Sequence, residues 1–271
     1  MKDQTGIEIG ATVTISKAIE ALKEEDVGDF HLESKIVFKK IANHMEKIAS
    51  GFVRNSGCVG GNLMTAQRKH FPSDIATILL PVGTIMNIMI GQKLEKLTLE
   101  EFLGRPPLDS KTILLSIKIP CLELRRDISS ETDTTLLFET YRAAPRPLGN
   151  ALPYLNAAFL AEVSVSRNST GATLNNCQLA FGAYGAKHPN RARKVEEFLT
   201  GKVLSVGVLY EAIKLLGTIV IPEDGTSSPA YRTSLAVGFL FEFLCPLALL
   251  KFLMVVSMAI CSYWSYAFRT R

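Results

Sequence analysis

Apolar and polar residues change period several times along the chain, and each period predicts an element. Residues 6–13 alternate apolar with polar, which predicts a strand. Ile15, Ala18, Ile19 and Leu22 then share one helical face, with Lys17, Glu20 and Lys23 outside it and Thr14 or Ser16 placed to cap. Phe38, Ile41, Met45 and Ile48 repeat the helical spacing, and Gly51 is the expected stop of that helix. His44 lies inside it with no second ligand at helical spacing, so it reads as an ordinary surface or half-buried histidine. Residues 75–80 predict a short buried helix ended by Pro81 and Gly83, and residues 85–90 a strand. Thr98-Leu99-Glu100-Glu101 is a capping box that opens a short helix reaching Gly104. Residues 113–119 predict a strand closed by Pro120, and the charged, Ser-rich residues 125–133 a loop and boundary. In the second half, residues 136–142, 155–166 and 176–184 read as strands. Helices are expected at 191–199, at 206–216 and after Ser228-Pro229. Strands followed by helices predict an α+β fold with helices on one sheet face, and residues 134–243 are expected to fold on their own.

Composition narrows the class. The 271 residues are 47% apolar and 21% charged, enough for a sizeable core. The net charge is only +4 and no long basic run occurs, so no nucleic-acid partner is expected. Arg191-Ala192-Arg193-Lys194 reads as a solvated helix face. Cys58, Cys121, Cys177, Cys245 and Cys261 are scattered, without Cys-x-x-Cys or a metal spacing to histidine. They suit reduced thiols and a cytoplasmic location, with no metal site. Glu223 and Asp224 are neighbouring carboxylates in a loop, and no acid/base pair or nucleophile triad is apparent in the sequence. Residues 247–268 are apolar apart from Lys251 and a few small polar residues, a length that suits a membrane-spanning helix. The favoured reading is sequence appended to the preceding helix, because nothing else in the chain prepares for a membrane.

The candidate chemistry lies in residues 54–74, RNSGCVGGNLMTAQRKHFPSD. The turn Gly57-Cys58-Val59-Gly60-Gly61-Asn62 lets backbone come close to a ligand and frees N–H groups to face an anion. Asn62 both donates and accepts, and Asp74 is placed to accept from a hydroxyl or to cap the next helix. On the glycines alone, a tight connection is the commoner reading.

The longer string resembles the flavin-binding domain of the molybdenum hydroxylases, the xanthine dehydrogenase and aldehyde oxidase family, with the plant aldehyde oxidases nearest. Further matches are Thr112-Ile113-Leu114-Leu115-Ser116-Ile117-Lys118-Ile119-Pro120, Tyr141-Arg142-Ala143-Ala144-Pro145-Arg146 and the stretch 231–240, YRTSLAVGFL. Together they span roughly residues 6–246 in collinear order. The resemblance implies a partial PCMH-type FAD-binding domain over residues 1–125, a flavoprotein C-terminal α+β subdomain over 134–246, and an apolar tail, 247–271, outside the family pattern. It implies FAD contacts at Cys58, Val59, Gly60, Gly61 and Asn62, and a carboxylate near the flavin's polar chain at Asp74. It also implies an apolar contact at Ile48, a backbone contact beside the ring at Leu114 and a basic residue near the isoalloxazine at Arg142. The family carries electrons from a molybdenum cofactor through 2Fe–2S clusters to FAD, and on to dioxygen or NAD. The molybdenum cofactor and clusters would belong to partner domains of a parent enzyme, itself a homodimer. The family's first phosphate loop, of the form Lys-Leu-Val-x-Gly-Asn-Thr, precedes the matched segment, so FAD is expected to bind weakly or not at all. Two alternatives stand beside the oxidoreductase fragment: a non-catalytic interaction module with a degraded flavin site, and a tail-anchored membrane protein.

Overall fold

The computed structural model describes residues 2–3, 5–24, 30–69, 71–124, 132–146, 151–166, 171–183, 187–219 and 229–249. The expected tail lies outside them from residue 250 on, as do Cys261, Glu223, Asp224 and most of the expected boundary loop.

The first unit runs β1 (Lys2–Asp3), β2 (Gly6–Gly10), α1 (Ile15–Lys23), α2 (Leu32–Met45), α3 (Gly51–Ser56), α4 (Val59–Arg68), α5 (Asp74–Leu79), β3 (Ile85–Ile90), β4 (Lys93–Thr98), α6 (Leu99–Gly104) and β5 (Thr112–Pro120). Its antiparallel sheet has the order β1-β2-β5-β3-β4. Thr14 caps α1 by accepting from the Lys17 N–H, and the four apolar residues expected on that helix face are all buried. The Thr98–Glu101 capping box forms, with both of its reciprocal hydrogen bonds. Three expectations need correction. Gly51 does not stop α2, which ends at Met45; it opens α3 behind the Ser50 N-cap. The Gly-rich segment is not a turn followed by a connection but the first turn of α4. The strand β4, rich in Lys and Glu, was hidden because an exposed edge strand carries a weak apolar pattern.

The second unit runs β6 (Thr132–Ala143), β7 (Leu155–Ser166), β8 (Ala172–Ala183), β9 (Asn190–Arg191), α7 (Arg193–Leu199), α8 (Val206–Ile219) and α9 (Pro229–Ala248). Its strands form an antiparallel meander in sequence order. Thr132 and Asp133, expected in the boundary loop, belong to β6. The basic run at 191–194 is not a free solvated face: Arg191 pairs with Glu196, and Arg193 reaches Glu100 of α6.

The two faces of the second sheet have different partners. Ala157, Phe159 and Phe181 point into a core closed by Leu240, Phe243 and other residues of the helices that follow. Phe138, Ala158, Leu160 and Ala180 point the other way, into the core of the first unit. Alternation along the strands thus makes this sheet a shared layer. Fully burying a Phe or Leu stabilises by roughly 1.5–3 kcal/mol, so this shared face holds the two units together. The expectation of a self-standing second half therefore accounts for one face of its sheet only.

Candidate functional site

The site begins where α4 meets the segment after β2. The Val59 N–H donates to Val13 O at 3.0 Å, the Gly60 N–H to Ala11 O at 2.9 Å, and the Ile15 N–H to Gly57 O at 2.9 Å. Gly60 is required by this closeness, since a Cβ there would sit 2.6 Å from both Cβ and O of Ala11. The expectation that these glycines free N–H groups for an anion is corrected: those of Val59 and Gly60 are consumed by backbone carbonyls. The Gly61 N–H is held by the Cys58 thiol, the helix N-cap, at 3.3 Å, and sulfur is a weak acceptor.

Across from α4, Ser73 caps α5 by accepting from the Ala76 N–H at 2.9 Å. Asp74 is therefore the first helical residue and not the cap. The Ser73 hydroxyl donates to Asn62 Oδ1 at 2.5 Å. This occupies the acceptor end of the amide and leaves its Nδ2 donor facing no acceptor among the described residues.

Asp74 is buried, and its Oδ1 is crowded by donors. Asn156 Nδ2 lies at 2.9 Å, His44 Nε2 at 3.2 Å and Arg142 Nε at 3.2 Å, with the same Arg142 Nε also 3.2 Å from Oδ2. Burial works against the carboxylate charge, but the hydrogen bond and charge of His44, then Arg142 and Asn156, outweigh it and hold the Asp74 pKa below its ordinary value. Arg142 Nη2 donates to Ala151 O at 2.7 Å, whereas Nη1 is buried without a partner among the described residues. His44 Nδ1 is likewise buried and unpartnered there. His44 is not the surface or half-buried residue expected; its side chain is fully buried against Asp74.

Asp74 and Arg142 floor a cleft of about 690 Å³, a size typical of small-molecule and cofactor sites. Ile15, Ile48, Val53, Phe71, Pro72 and Leu152 make its walls largely apolar, while Asn62, Thr65, Asp74 and Arg142 supply polar groups. Arg54 shapes one wall by donating to Ile48 O at 2.7 Å and Ala49 O at 3.0 Å, which fixes a turn where Ala49 has φ of 47°.

Of the residues singled out in the sequence, Ile48, Cys58, Gly61, Asn62, Asp74 and Arg142 line this cleft together. Val59 and Gly60 lie behind it, buried against residues 11–13. Leu114 sits in β5 with its side chain packed in the first core and is not among the lining residues. Sequence reasoning missed His44, Asn156, Ala151 and Leu152. His44 had a signal, because 37, 41 and 44 form one helical stripe whose other members are Val37 and Ile41. Asn156 had a weaker one, a lone amide in the apolar run 155–161.

Residues 1–122 match the family model for the FAD binding domain in molybdopterin dehydrogenase, and residues 139–247 match that for the CO dehydrogenase flavoprotein C-terminal domain. The chain is 58% identical over 242 residues to an indole-3-acetaldehyde oxidase of Arabidopsis thaliana, covering 89% of this chain and 17% of that protein. It is 55% identical over 248 residues to the abscisic-aldehyde oxidase of the same plant, covering 91% of this chain and 18% of that protein. The chain thus spans under a fifth of the length of these relatives. Among solved structures, quinoline 2-oxidoreductase from Pseudomonas putida 86 superposes with a TM-score of 0.68 at 19% identity, covering 92% of this chain and 76% of that one.

Proposed function

This chain belongs to the flavoprotein family of the molybdenum hydroxylases, pairing that family's FAD-binding domain with its C-terminal domain, and from this we infer that the cleft between α4, α5 and the second sheet takes FAD. The observation that carries the inference is the cleft floor. A buried guanidinium N–H of Arg142 has no protein acceptor among the described residues, beside a charged Asp74 and a free Asn62 amide donor, under apolar walls. An uncompensated buried polar group costs about 1–3 kcal/mol, which a ligand carbonyl or hydroxyl on Arg142 would recover. FAD, when bound, supplies two-electron chemistry with acceptors such as dioxygen or NAD, and the protein supplies orientation and electrostatics. Asp74 and Asn62 are placed to bind polar groups of a ligand, and Ile48, Val53 and Leu152 to keep water from its apolar part. In a longer parent enzyme similar to the plant aldehyde oxidases, this segment would receive electrons from iron–sulfur centres served by a molybdenum site.

Binding by this chain alone is expected to be weak. The N–H groups of Val59 and Gly60 are already paired, so the α4 N-terminus offers little to a pyrophosphate. Each charge-assisted hydrogen bond forgone weakens binding by roughly 1.5–3 kcal/mol, about tenfold or more in Kd. Titration of FAD into the purified chain, followed by flavin fluorescence, is the test. Micromolar binding lost on Asn62→Ala or Gly61→Val supports the assignment. No binding to folded protein at millimolar FAD rejects it.

A further inference from the structure

Three residues reach Asp74 from different places in the fold. His44 comes from α2, Arg142 from β6 and Asn156 from β7, so two of the three belong to the second unit. Asn156 is itself fixed, its Oδ1 lying 2.9 Å from the Thr77 hydroxyl one turn along α5. The fit is tight. A Cβ on Gly182 of β8 would stand 2.3 Å from both Asn156 Oδ1 and Thr77 Oγ1. Neither His44 nor Asn156 lines the cleft, whereas Asp74 and Arg142 do.

We propose that His44 and Asn156 are positioning residues for the flavin cleft: they clamp Asp74 Oδ1 from either side of the boundary between the units, and through Asp74 they hold Arg142 with its Nη1 left for the ligand. The proposal rests on the FAD assignment above. Its physical basis is the donor arrangement. Asp74 meets Arg142 through Nε alone, and Nη2 is tied to Ala151 O, so the carboxylate sets the guanidinium without occupying Nη1. With the His44 and Asn156 donors removed, Asp74 is free to swing off the Nε–H of Arg142, and the guanidinium keeps only its Nη2 bond to Ala151 O among the described residues. Nη1 then loses its fixed orientation, and the ligand loses a donor held in place for it. A bland alternative is that the cluster only joins the two units, in which case its loss would lower stability and leave flavin affinity unchanged.

The experiment uses the full chain and measures FAD affinity by fluorescence quenching, well below each variant's melting temperature, with the flavin absorbance band as a second readout. His44→Leu and Asn156→Ala are each expected to raise Kd about tenfold, while His44→Gln, which retains a donor, stays within about threefold of wild type. In an Arg142→Ala background, Asn156→Ala is expected to have no further effect on Kd, because a residue acting through Arg142 has nothing left to position. Wild-type Kd and an unshifted flavin band in folded Asn156→Ala overturn the proposal, and so does full additivity with Arg142→Ala. Should His44→Leu not fold, Asn156→Ala decides alone. Failure of the wild-type chain to take up FAD rejects the FAD assignment itself, and the positioning roles fall with it. That outcome is distinct, since it appears before any variant is made.

Discussion

At the scale of single residues, Asp74 governs the site because it is a charge held in a buried place. Its folded pKa lies below the ordinary 3.8, with His44, Arg142 and Asn156 overcoming the effect of burial. A carboxylate of this kind stabilises the fold fully above its unfolded pKa, and the contribution is lost as pH falls through the lower folded value. Asp74→Asn removes the charge and leaves the Arg142 guanidinium buried without it. Breaking a buried pair in this way typically costs about 3–5 kcal/mol. Urea unfolding should therefore show the variant clearly less stable at neutral pH. The gap to wild type should narrow only below about pH 4, where Asp74 of the unfolded chain binds a proton before the folded carboxylate does. A gap that stays constant into strong acid would mean that the carboxylate is not charged in the folded protein.

At the scale of elements, α4 shows how capping and close packing compete for the same few residues. Its N-cap is Cys58, whose thiol accepts the Gly61 N–H at 3.3 Å. Hydroxyl residues are strongly preferred at this position, and replacing a good cap by a poor one costs about 0.5–2 kcal/mol. Cys58→Ser is expected to stabilise the chain by about 0.5–1 kcal/mol on the same scale, read as a raised urea midpoint at unchanged slope. No such gain is available at Gly60, where any side chain meets Ala11. The two neighbouring glycines thus differ in kind: Gly60 is bound to the core, and Gly61 is exposed on the cleft side.

At the scale of the whole molecule, the second sheet is a layer shared by two cores. Its inner face carries Phe138, Ala158, Leu160 and Ala180 into the first unit, and Lys40 of α2 anchors β6 through Phe138 O at 2.8 Å and the Glu139 carboxylate at 2.5 Å. Residues 132–249 expressed alone keep the core formed by α7, α8 and α9 but expose that inner face. The fragment should unfold cooperatively, and it should also bind a hydrophobic dye such as ANS and self-associate, because exposed apolar patches of this kind mark interaction surfaces. A fragment that stays monomeric and dye-free would show that the shared face contributes little. Among the described residues no helix is long and apolar enough to cross a membrane.

Much of the architecture was already determined by local pattern. Period-3.6 stripes placed α1, α2 and α8, alternation placed β2, short apolar segments placed α5, β3, β5 and β7, and the Thr98 capping box fixed the start of α6. The motif strings pointed to the flavoprotein family, and six of the nine residues they singled out do meet in one cleft. Only the tertiary structure decided what those residues do. Whether a glycine frees its N–H or donates it depends on what lies opposite, and Ala11 and Val13 lie far from Gly60 and Val59 in sequence. The partners of Asp74 come from positions 44, 142 and 156, so no local window contains the cluster. His44 reads as unremarkable by spacing because its side-chain partner among the described residues, Asp74, is distant in sequence. Sequence periodicity reports which face of an element is buried, but long-range contacts decide against what it is buried, and here that distinction separates a cleft built around a buried carboxylate from a run of glycines.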